Sequence, residues 1–346
     1  MRRARTGWPK MALAAAVLVW VVPGHAGNAA RSSSAQSAPA SVPSQMAPSR
    51  LVLLGTGGGP IARVGRSQPT NMLQVGGKTF LIDIGDGTSR QLVRAGAQLN
   101  AVDAVFLTHL HFDHTAGIMG FLALDWQARR RNPVMIYGPA GTKRLVADTL
   151  TALASGEEIF RPQLPDLPPM KTVFFGEDWE VTTQRVVYEE SGIRVQAVEN
   201  SHYGTIHSTA AAHGINRSYS YRFDLPDRAI VFTGDTGPSR ALEQLAEGAD
   251  VLVSEIIDID AIIAGLKRRQ LATGVDQQPL IDHMVQEHLT PENVGRLAAS
   301  AGVKTLVLTH FATPPGHDNY NPAAILAAIR KHFNGQVIFG EDLIEI

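Results

Sequence analysis

Downstream of Leu51 the chain alternates short runs of aliphatic and β-branched residues with stretches of helical periodicity. The apolar runs have the length of buried strands, and the stretches between them are long enough for helices. This alternation predicts an α/β protein in which helices cover β-sheets. The predicted strands are 51–57, 71–75, 79–85, 104–110, 133–139, 193–201, 218–224, 229–235, 251–257, 305–311 and 336–342. The predicted helices are 88–96, 114–130, 141–155, 239–247, 291–301 and 321–333.

Residues 1–26 have the layout of a signal peptide. A basic start precedes the apolar run MALAAAVLVWVV, which is too short to span a bilayer comfortably, and the small residues Gly24 and Ala26 follow it. We therefore expect export, with a periplasmic or secreted mature protein; an uncleaved anchor is the alternative. The Sec and Tat routes both stay open, because the Arg2-Arg3 pair lacks the rest of a twin-arginine motif.

The remainder divides into a linker and one catalytic domain. Residues 27–50 are mostly Ser, Ala and Pro, a composition that cannot offset its ordering entropy by burial and predicts a disordered linker. Residues 51–346 form the predicted catalytic domain. Within it, segment 156–180 is rich in proline and acidic groups and is predicted to be a long surface loop.

The composition limits both the metal ligands and the partners. There is no cysteine, so any transition metal must be held by histidine nitrogen and carboxylate oxygen. The net charge of −1 supplies no overall attraction for a polyanion. We therefore do not expect nucleic acid as a partner, although a local basic patch would be compatible with a neutral total.

The segment THLHFDH, residues 108–114, follows a predicted strand and precedes a predicted helix. Chemistry is common at this position in α/β proteins. His109 and His111 leave the chain at period 2 and can converge on one ion, while Asp113 and His114 lie on the turn and can reach a second ion beside it. Four ligand-type side chains within six positions indicate a metal site rather than a solvated polar loop.

Two later strands end in further candidate ligands. Asp235 ends AIVFTGD, and an unpaired carboxylate at the end of a buried strand is costly unless a cation neutralises it. Its alternative role, the N-cap of a helix from Ser239, would place it too early. His310 ends TLVLTH and is either a ligand or a satisfied core histidine.

The segment after residue 201 offers three histidines, His202, His207 and His213. Any of them could be a further ligand; we favour His202 because it directly follows a predicted strand. Asp83, in LIDIGDG, is expected to accept the remaining N–H of a ligand histidine and so to orient it. A turn-forming aspartate before Gly85 is the competing interpretation, and both can hold together.

The motif HLHFDH resembles the H-x-H-x-D-H signature of the metallo-β-lactamase superfamily, and further segments are similar to its ribonuclease Z and arylsulfatase branch. The resemblance covers the chain from Leu51 onward except 156–190. The matching segments are GTGGG (55–59), FLIDIGDGTSRQLVRAG (80–96), YGPAGT (137–142), SYSYRF (218–223), FTGDTGPS (232–239) and LVLTHF (306–311).

This resemblance implies an αββα four-layer sandwich, two β-sheets flanked by helices, with a binuclear metal site. Carried over by position, it assigns His109, His111 and His202 to one metal. It assigns Asp113, His114 and His310 to the other metal, with Asp235 bridging. A site of nitrogen and oxygen ligands suits two Zn²⁺ ions, with Mn²⁺ or Fe²⁺ as alternatives.

The resemblance also suggests catalytic roles. His288 is similar to the histidine of the branch's H-S-T segment, which assists departure of the leaving group; a plain surface histidine is the alternative. Asp113 and Asp235 would share the proton of the nucleophile, a hydroxide held between the two ions.

We therefore expect an exported hydrolase that acts on a small-molecule ester: a phosphodiester, a sulfate ester, or a carboxylic ester or lactone. Ribonuclease Z usually carries a long basic arm, and the short connection between Tyr221 and Asp235 leaves no room for one there. The alternatives are a ribonuclease Z-like nuclease, a hydrolytic dehalogenase of the same fold, and a metal-dependent binding module without turnover. A homodimer stays open.

Overall fold

The structure is a computed structural model that describes residues 47–59, 61–204, 214, 216–313 and 320–346. The predicted signal peptide and all of the predicted linker before residue 47 lie outside the described residues. Among the residues that are described, no helix has the length and apolar character needed to cross a bilayer.

The first sheet has six strands in chain order. They are β1 (Arg50–Gly55), β2 (Thr70–Val75), β3 (Lys78–Ile82), β4 (Ala104–Phe106), β5 (Val134–Pro139) and β6 (Phe174–Trp179). Strands β1 to β3 pair antiparallel, and β3 to β6 pair parallel.

The second sheet has seven strands in the order β13-β12-β11-β10-β9-β8-β7. They are β7 (Arg185–Glu190), β8 (Ile193–Glu199), β9 (Tyr219–Asp224), β10 (Ala229–Phe232), β11 (Val251–Ile257), β12 (Thr305–Ala312) and β13 (Gln336–Phe339). Strands β7 to β10 pair antiparallel, and β10 to β13 pair parallel. Strand β11 is buried along its whole length, as expected of a parallel strand that is covered on both faces.

Helices occupy many of the connections between the strands. They are α1 (Thr88–Arg94), α2 (Phe112–Thr115), α3 (Ile118–Gln127), α4 (Thr142–Phe160), α5 (Arg240–Ala246), α6 (Ile259–Thr273), α7 (Gln278–Gln286), α8 (Pro291–Ala301) and α9 (Pro322–Arg330). Short 3₁₀ turns occupy Leu99–Ala101, Arg161–Gln163 and Met170–Thr172.

Three apolar clusters define the layers. The central one lies between the sheets, where the fully buried Phe106 contacts Phe80 and Phe223 through edge-on ring contacts. The second joins the first sheet to α1, α3 and α4, and the third joins the second sheet to α5, α8 and α9. The order helix, sheet, sheet, helix confirms the predicted αββα sandwich.

Several predicted elements are wrong in detail. The segment 156–180 is not a loop, because α4 continues to Phe160 and β6 pairs with β5. The sequence FFGEDW of β6 buries only its two terminal side chains, so it lacks the apolar alternation that marks a strand. Strand β7 and helices α6 and α7 were also not predicted. The predicted strands 104–110 and 229–235 end at Phe106 and Phe232, which leaves the polar residues beyond them on loops.

The carboxyl ends of β4, β10, β11 and β12 meet where the candidate ligands lie. Two residues there have a strained backbone, because Asp83 (φ 63°) and His310 (φ 47°) both adopt left-handed conformations that cost energy for a side chain other than glycine. His310 is also the extra residue of a bulge, since Glu255 pairs with Thr309 and the next residue, Ile256, pairs with Phe311. Such a bulge turns the side chain of His310 out of the regular pleat.

Candidate metal centre

Three imidazoles and a carboxylate converge in a first group. The ligand atoms of His109, His111, His202 and Asp235 all lie within 4.8 Å of one another. His111 Nδ1 is 3.1 Å from both His109 Nε2 and His202 Nε2, and His109 Nε2 is 3.8 Å from Asp235 Oδ2. Three nitrogen donors and one oxygen donor at this spacing could hold one transition metal.

A second group shares Asp235 with the first. Its ligand atoms, from Asp113, His114, Asp235 and His310, also lie within 4.8 Å of one another. His310 Nε2 is 3.1 Å from Asp235 Oδ2 and 3.3 Å from Asp113 Oδ2, and His114 Nε2 is 3.3 Å from Asp235 Oδ1. Asp235 therefore stands between the two groups, as a bridging ligand would.

Several buried polar atoms of the two donor groups make no hydrogen bond, which indicates whether cations would fit between them. His114 Nε2, Asp235 Oδ1 and both ring nitrogens of His310 are buried and make no hydrogen bond. Leaving such atoms unpaired in the interior is costly. All of them except His310 Nδ1 face the second group, where a divalent cation would satisfy them. The donor set and these unpaired atoms both fit a pair of divalent cations.

Hydrogen bonds behind the rings fix their orientation. Asp83 Oδ2 accepts from His114 Nδ1 at 2.8 Å, while its Oδ1 accepts from the backbone N–H of Thr108 at 2.7 Å. His202 Nδ1 donates to the carbonyl of Glu287 at 3.0 Å, and His109 Nδ1 lies 3.0 Å from Thr108 Oγ1. In each case Nε2 is left for a ligand role. This is the geometry predicted for Asp83, whose orienting role stays a proposal.

The electrostatics differ between the two groups. Burial lowers the pKa of His109 and His202 well below the usual range and lowers that of His111 to about 4, which keeps these rings in the neutral form that binds metals. Burial would also lower the pKa of His114 and His310. Nearby carboxylates, Asp235 foremost, outweigh burial and raise the pKa of His114 well above its usual range and that of His310 to about 10. The carboxylates therefore give the second group a negative electrostatic environment, which favours binding of a divalent cation.

His288 lies beside both groups and pairs with a carboxylate that the sequence analysis missed. His288 Nδ1 is 2.7 Å from Glu255 Oε2, and both side chains are buried. Its ring centroid is 5.0 Å from that of His202 and 6.1 Å from that of His310. The predicted alternative, a plain surface histidine, is therefore wrong. Glu255 could have been found from sequence, because it lies in the apolar run VLVSEII. Like Asp235, a carboxylate in a buried strand is costly unless it has a partner.

Two more side chains near the centre were not predicted. His283, on α7, is partly buried, and its Nδ1 lies 2.5 Å from Glu287 Oε2; partial burial and the neighbouring His288 lower the pKa of His283. The Tyr203 ring centroid is 5.2 Å from that of His111. His207 and His213 lie outside the described residues, so the structure compares neither of them with His202. For Asp235, the N-cap alternative is wrong, because Ser239 itself caps α5.

Gly58 leaves space for His310. A Cβ atom on Gly58 would lie 2.4 Å from His310 Nδ1 and 2.7 Å from the His310 carbonyl oxygen. We expect Gly58→Ala to displace the imidazole, to reduce metal content, and to lower kcat/KM by about 100-fold, as ångström-scale misplacements do. Elemental analysis and steady-state kinetics measure both effects. Gly120→Ala is the matched control, because its added Cβ meets nothing within 4 Å and alanine favours a helix. Equal activity of the two variants would contradict the role given to Gly58.

Known proteins resemble this chain along most of its length. The family model described as "Beta-lactamase superfamily domain" matches residues 78–311. Ribonuclease Z of Mycobacterium avium is 30% identical over 298 residues, which cover 85% of this chain and 96% of that protein. The Bacillus subtilis metallo-β-lactamase fold protein YhfI has a TM-score of 0.60 and 19% identity over 87% of this chain and 99% of its own. Human tRNase Z, short form, has a TM-score of 0.59 and 21% identity over 86% of this chain and 98% of its own.

The chain therefore belongs to the metallo-β-lactamase superfamily and is a metal-dependent hydrolase. Divalent metal ions are what this fold implies, and the two donor groups are suited to hold them.

The expectation that nucleic acid is not a partner is wrong. It rested on the net charge of the whole chain, whereas the relatives that align along 85% of this chain are named Ribonuclease Z. Physically, net charge is a sum over the entire surface and does not describe the field at one site.

Proposed function

We propose that this chain is a binuclear-metal phosphodiesterase that cleaves RNA. In this proposal His109, His111 and His202 hold one cation, Asp113, His114 and His310 hold the other, and Asp235 bridges them. Zn²⁺ is the proposed ion, because a set of imidazole nitrogen and carboxylate oxygen donors suits it. The 30% identity to a ribonuclease Z that is matched over 96% of its length supports the choice of RNA over other esters.

One observation carries the reaction class: the Glu255–His288 pair, with its 2.7 Å contact, lies next to both donor groups. A carboxylate on Nδ1 fixes the imidazole so that Nε2 points away from Glu255. The 3′-oxygen of a ribose leaves poorly unless it is protonated. Burial would lower the pKa of His288, but the carboxylate of Glu255 outweighs burial and raises that pKa, so this ring also carries a proton on Nε2 and is in position to donate it to the leaving oxygen.

The remaining residues have defined tasks in the same step. The cations, when bound, supply positive charge at the phosphate and lower the pKa of water. Asp113, which accepts a hydrogen bond from the backbone N–H of Gly59 at 3.0 Å, and Asp235 share the proton of the attacking water. Asp83 keeps His114 in the orientation that its ligand role requires.

A small ester is the competing substrate class. Among the described residues we find no feature that favours a sulfate ester, a carboxylic ester or a lactone over a phosphodiester. These compounds therefore serve as tests of the proposal rather than as a second function.

We also propose that the enzyme is exported and meets RNA outside the cytoplasm. The basic start, short apolar run and small residues of positions 1–26 support this proposal. A fusion of residues 1–50 to alkaline phosphatase, which is active only after export, should give activity in a bacterial host. Inactive fusion protein that stays in the cytoplasm would rule out export.

The substrate class is tested by incubating the purified, Zn²⁺-loaded protein with end-labelled RNA, bis-p-nitrophenyl phosphate, p-nitrophenyl sulfate and p-nitrophenyl acetate. We expect cleavage of the RNA and of the phosphodiester, loss of both activities with a chelator, and recovery on adding Zn²⁺. The Asp235→Asn protein, purified in parallel, controls for contaminating nucleases. Intact RNA together with rapid cleavage of the sulfate or the acetate would overturn the proposal.

A further inference from the structure

The chain between Glu255 and His288 forms two helices that the sequence analysis did not predict. Helix α6 buries none of its residues and contacts α7. Helix α7 and the residues after it bring a second histidine, His283, to the metal centre. The segment gains little stability from burial of α6, and its contacts with the metal centre are made by His283 and Glu287.

His283 and Glu287 form a second carboxylate–imidazole pair. They are spaced i,i+4 at the end of α7, which places both on one face. The Glu287 side chain is fully buried and accepts from His283 Nδ1 at 2.5 Å, while the Glu287 carbonyl accepts from His202 Nδ1. One residue therefore ties His283 to a candidate metal ligand.

The position of His283 is at the mouth of the centre. Its ring centroid lies 5.3 Å from that of His288, 5.4 Å from that of His202 and 6.1 Å from that of His111. Its side chain keeps 17% of its surface exposed, against 5% for His288. Because His283 is the more exposed of the two neighbouring rings, a substrate that enters from solvent and reaches His288 would also contact His283.

A third metal site is a weaker interpretation of these rings. Nitrogens of His202, His283 and His288 lie within 4.8 Å of one another. However, His202 uses Nδ1 on a carbonyl and turns Nε2 toward His111, and the other two use Nδ1 on carboxylates. Only two nitrogens, the Nε2 atoms of His283 and His288, are left for a common ligand.

The fixed Nδ1–H makes Nε2 of the neutral His283 ring an acceptor, because a neutral imidazole donates from one nitrogen and accepts at the other. Phosphate oxygens only accept, so they do not match this atom. A substrate hydroxyl does match it. In RNA the 2′-hydroxyl lies on the carbon next to the 3′-oxygen, and it is the group that lets a protein distinguish RNA from DNA.

We propose that His283, held by Glu287, binds substrate by accepting a hydrogen bond from the ribose 2′-hydroxyl vicinal to a leaving 3′-oxygen, and thereby selects RNA over DNA. This inference rests on the proposed phosphodiesterase function. His288 then protonates the 3′-oxygen while the adjacent ring contacts the neighbouring hydroxyl of the same sugar. Glu287 is a positioning residue that sets which nitrogen of His283 carries the proton.

The test pairs a protein change with a substrate change. Zn²⁺-loaded wild type, His283→Ala and His283→Phe are compared on an RNA oligonucleotide and on the same oligonucleotide with a single 2′-deoxy sugar at the cleaved position. We expect kcat/KM of the wild type to fall about tenfold on the deoxy substrate, the loss typical of one buried hydrogen bond. Both variants should lose this preference and cleave the deoxy substrate as the wild type does.

Binding supplies a readout that is independent of turnover. Fluorescence anisotropy measures the affinity for the cleaved RNA product with a 3′-terminal ribose or deoxyribose. The wild type should prefer ribose, and the two His283 variants should not. Asp282→Ala is the matched control on α7, because Asp282 is exposed and contacts Gln278; it should keep the preference. A ribose preference that persists in both His283 variants, or that is missing from the wild type, would overturn the inference alone. Absence of any cleavage by the wild type would overturn the proposed function as well.

Discussion

Replacing Asp235 by asparagine should strip the protein of most of its metal and lower kcat/KM more than about 1000-fold. Asp235 Oδ1 faces His114 Nε2 at 3.3 Å, and its Oδ2 faces His310 Nε2 at 3.1 Å. An amide keeps the shape of the side chain but removes the charge that both donor groups share. Loss of one group that stabilises charge in a transition state costs about 100- to 1000-fold in kcat, and here both cations are weakened together.

The measurement is elemental analysis of the purified variant, followed by kinetics on the phosphodiester substrates. Asp148→Asn is the matched control, because Asp148 is an exposed aspartate on α4, and it should keep full metal content and activity. An Asp235→Asn protein with wild-type metal content and turnover would show that the carboxylate is structural.

Replacing His288 by alanine should lower kcat by about 100- to 10,000-fold on RNA, the range that general acid catalysis supplies. Metal content should stay at the wild-type level, because the Glu255–His288 pair contributes to neither of the two donor groups that share Asp235. The loss should shrink on a p-nitrophenyl ester, because p-nitrophenolate leaves readily without a proton. The ratio of the two effects is the measurement that separates proton donation from a structural role.

His332→Ala is the control for this experiment, since His332 contacts Glu292 through a 3.4 Å ion-pair distance outside the centre. Its kinetics should match those of the wild type on both substrates. Equal losses on RNA and on the p-nitrophenyl ester for His288→Ala would contradict the leaving-group role.

The two-sheet architecture and most of the centre could be predicted from local sequence. His109, His111, Asp113 and His114 occupy a single segment after a strand, so their proximity follows from chain connectivity. Asp235 and His310 end buried apolar runs, and the carboxyl ends of neighbouring parallel strands meet at the same edge of a sheet. Burial cost marked Asp235, whereas His310 was assigned through the family resemblance, because its sequence also allowed a satisfied core histidine.

The parts that could not be predicted depend on long-range contacts. Strand β6 has no apolar alternation and exists because β5 offers it a parallel partner. Helix α6 has no buried side chain, and apolar residues recur at helical spacing only in its first half, at Ile259, Ile262, Ile263 and Leu266. The pairs Glu255–His288 and His283–Glu287 could not be assigned a function from sequence, because only the fold brings them beside His202.

The proposed function requires that residues between the end of β4 and the end of β12 gather around two cations. The most direct test is a crystal structure of the purified chain with anomalous diffraction recorded at the zinc edge. We predict two anomalous peaks, one among His109, His111 and His202 and one among Asp113, His114 and His310, with Asp235 contacting both. Diffraction from protein supplied with excess Zn²⁺ that shows no peak at either position would contradict the account.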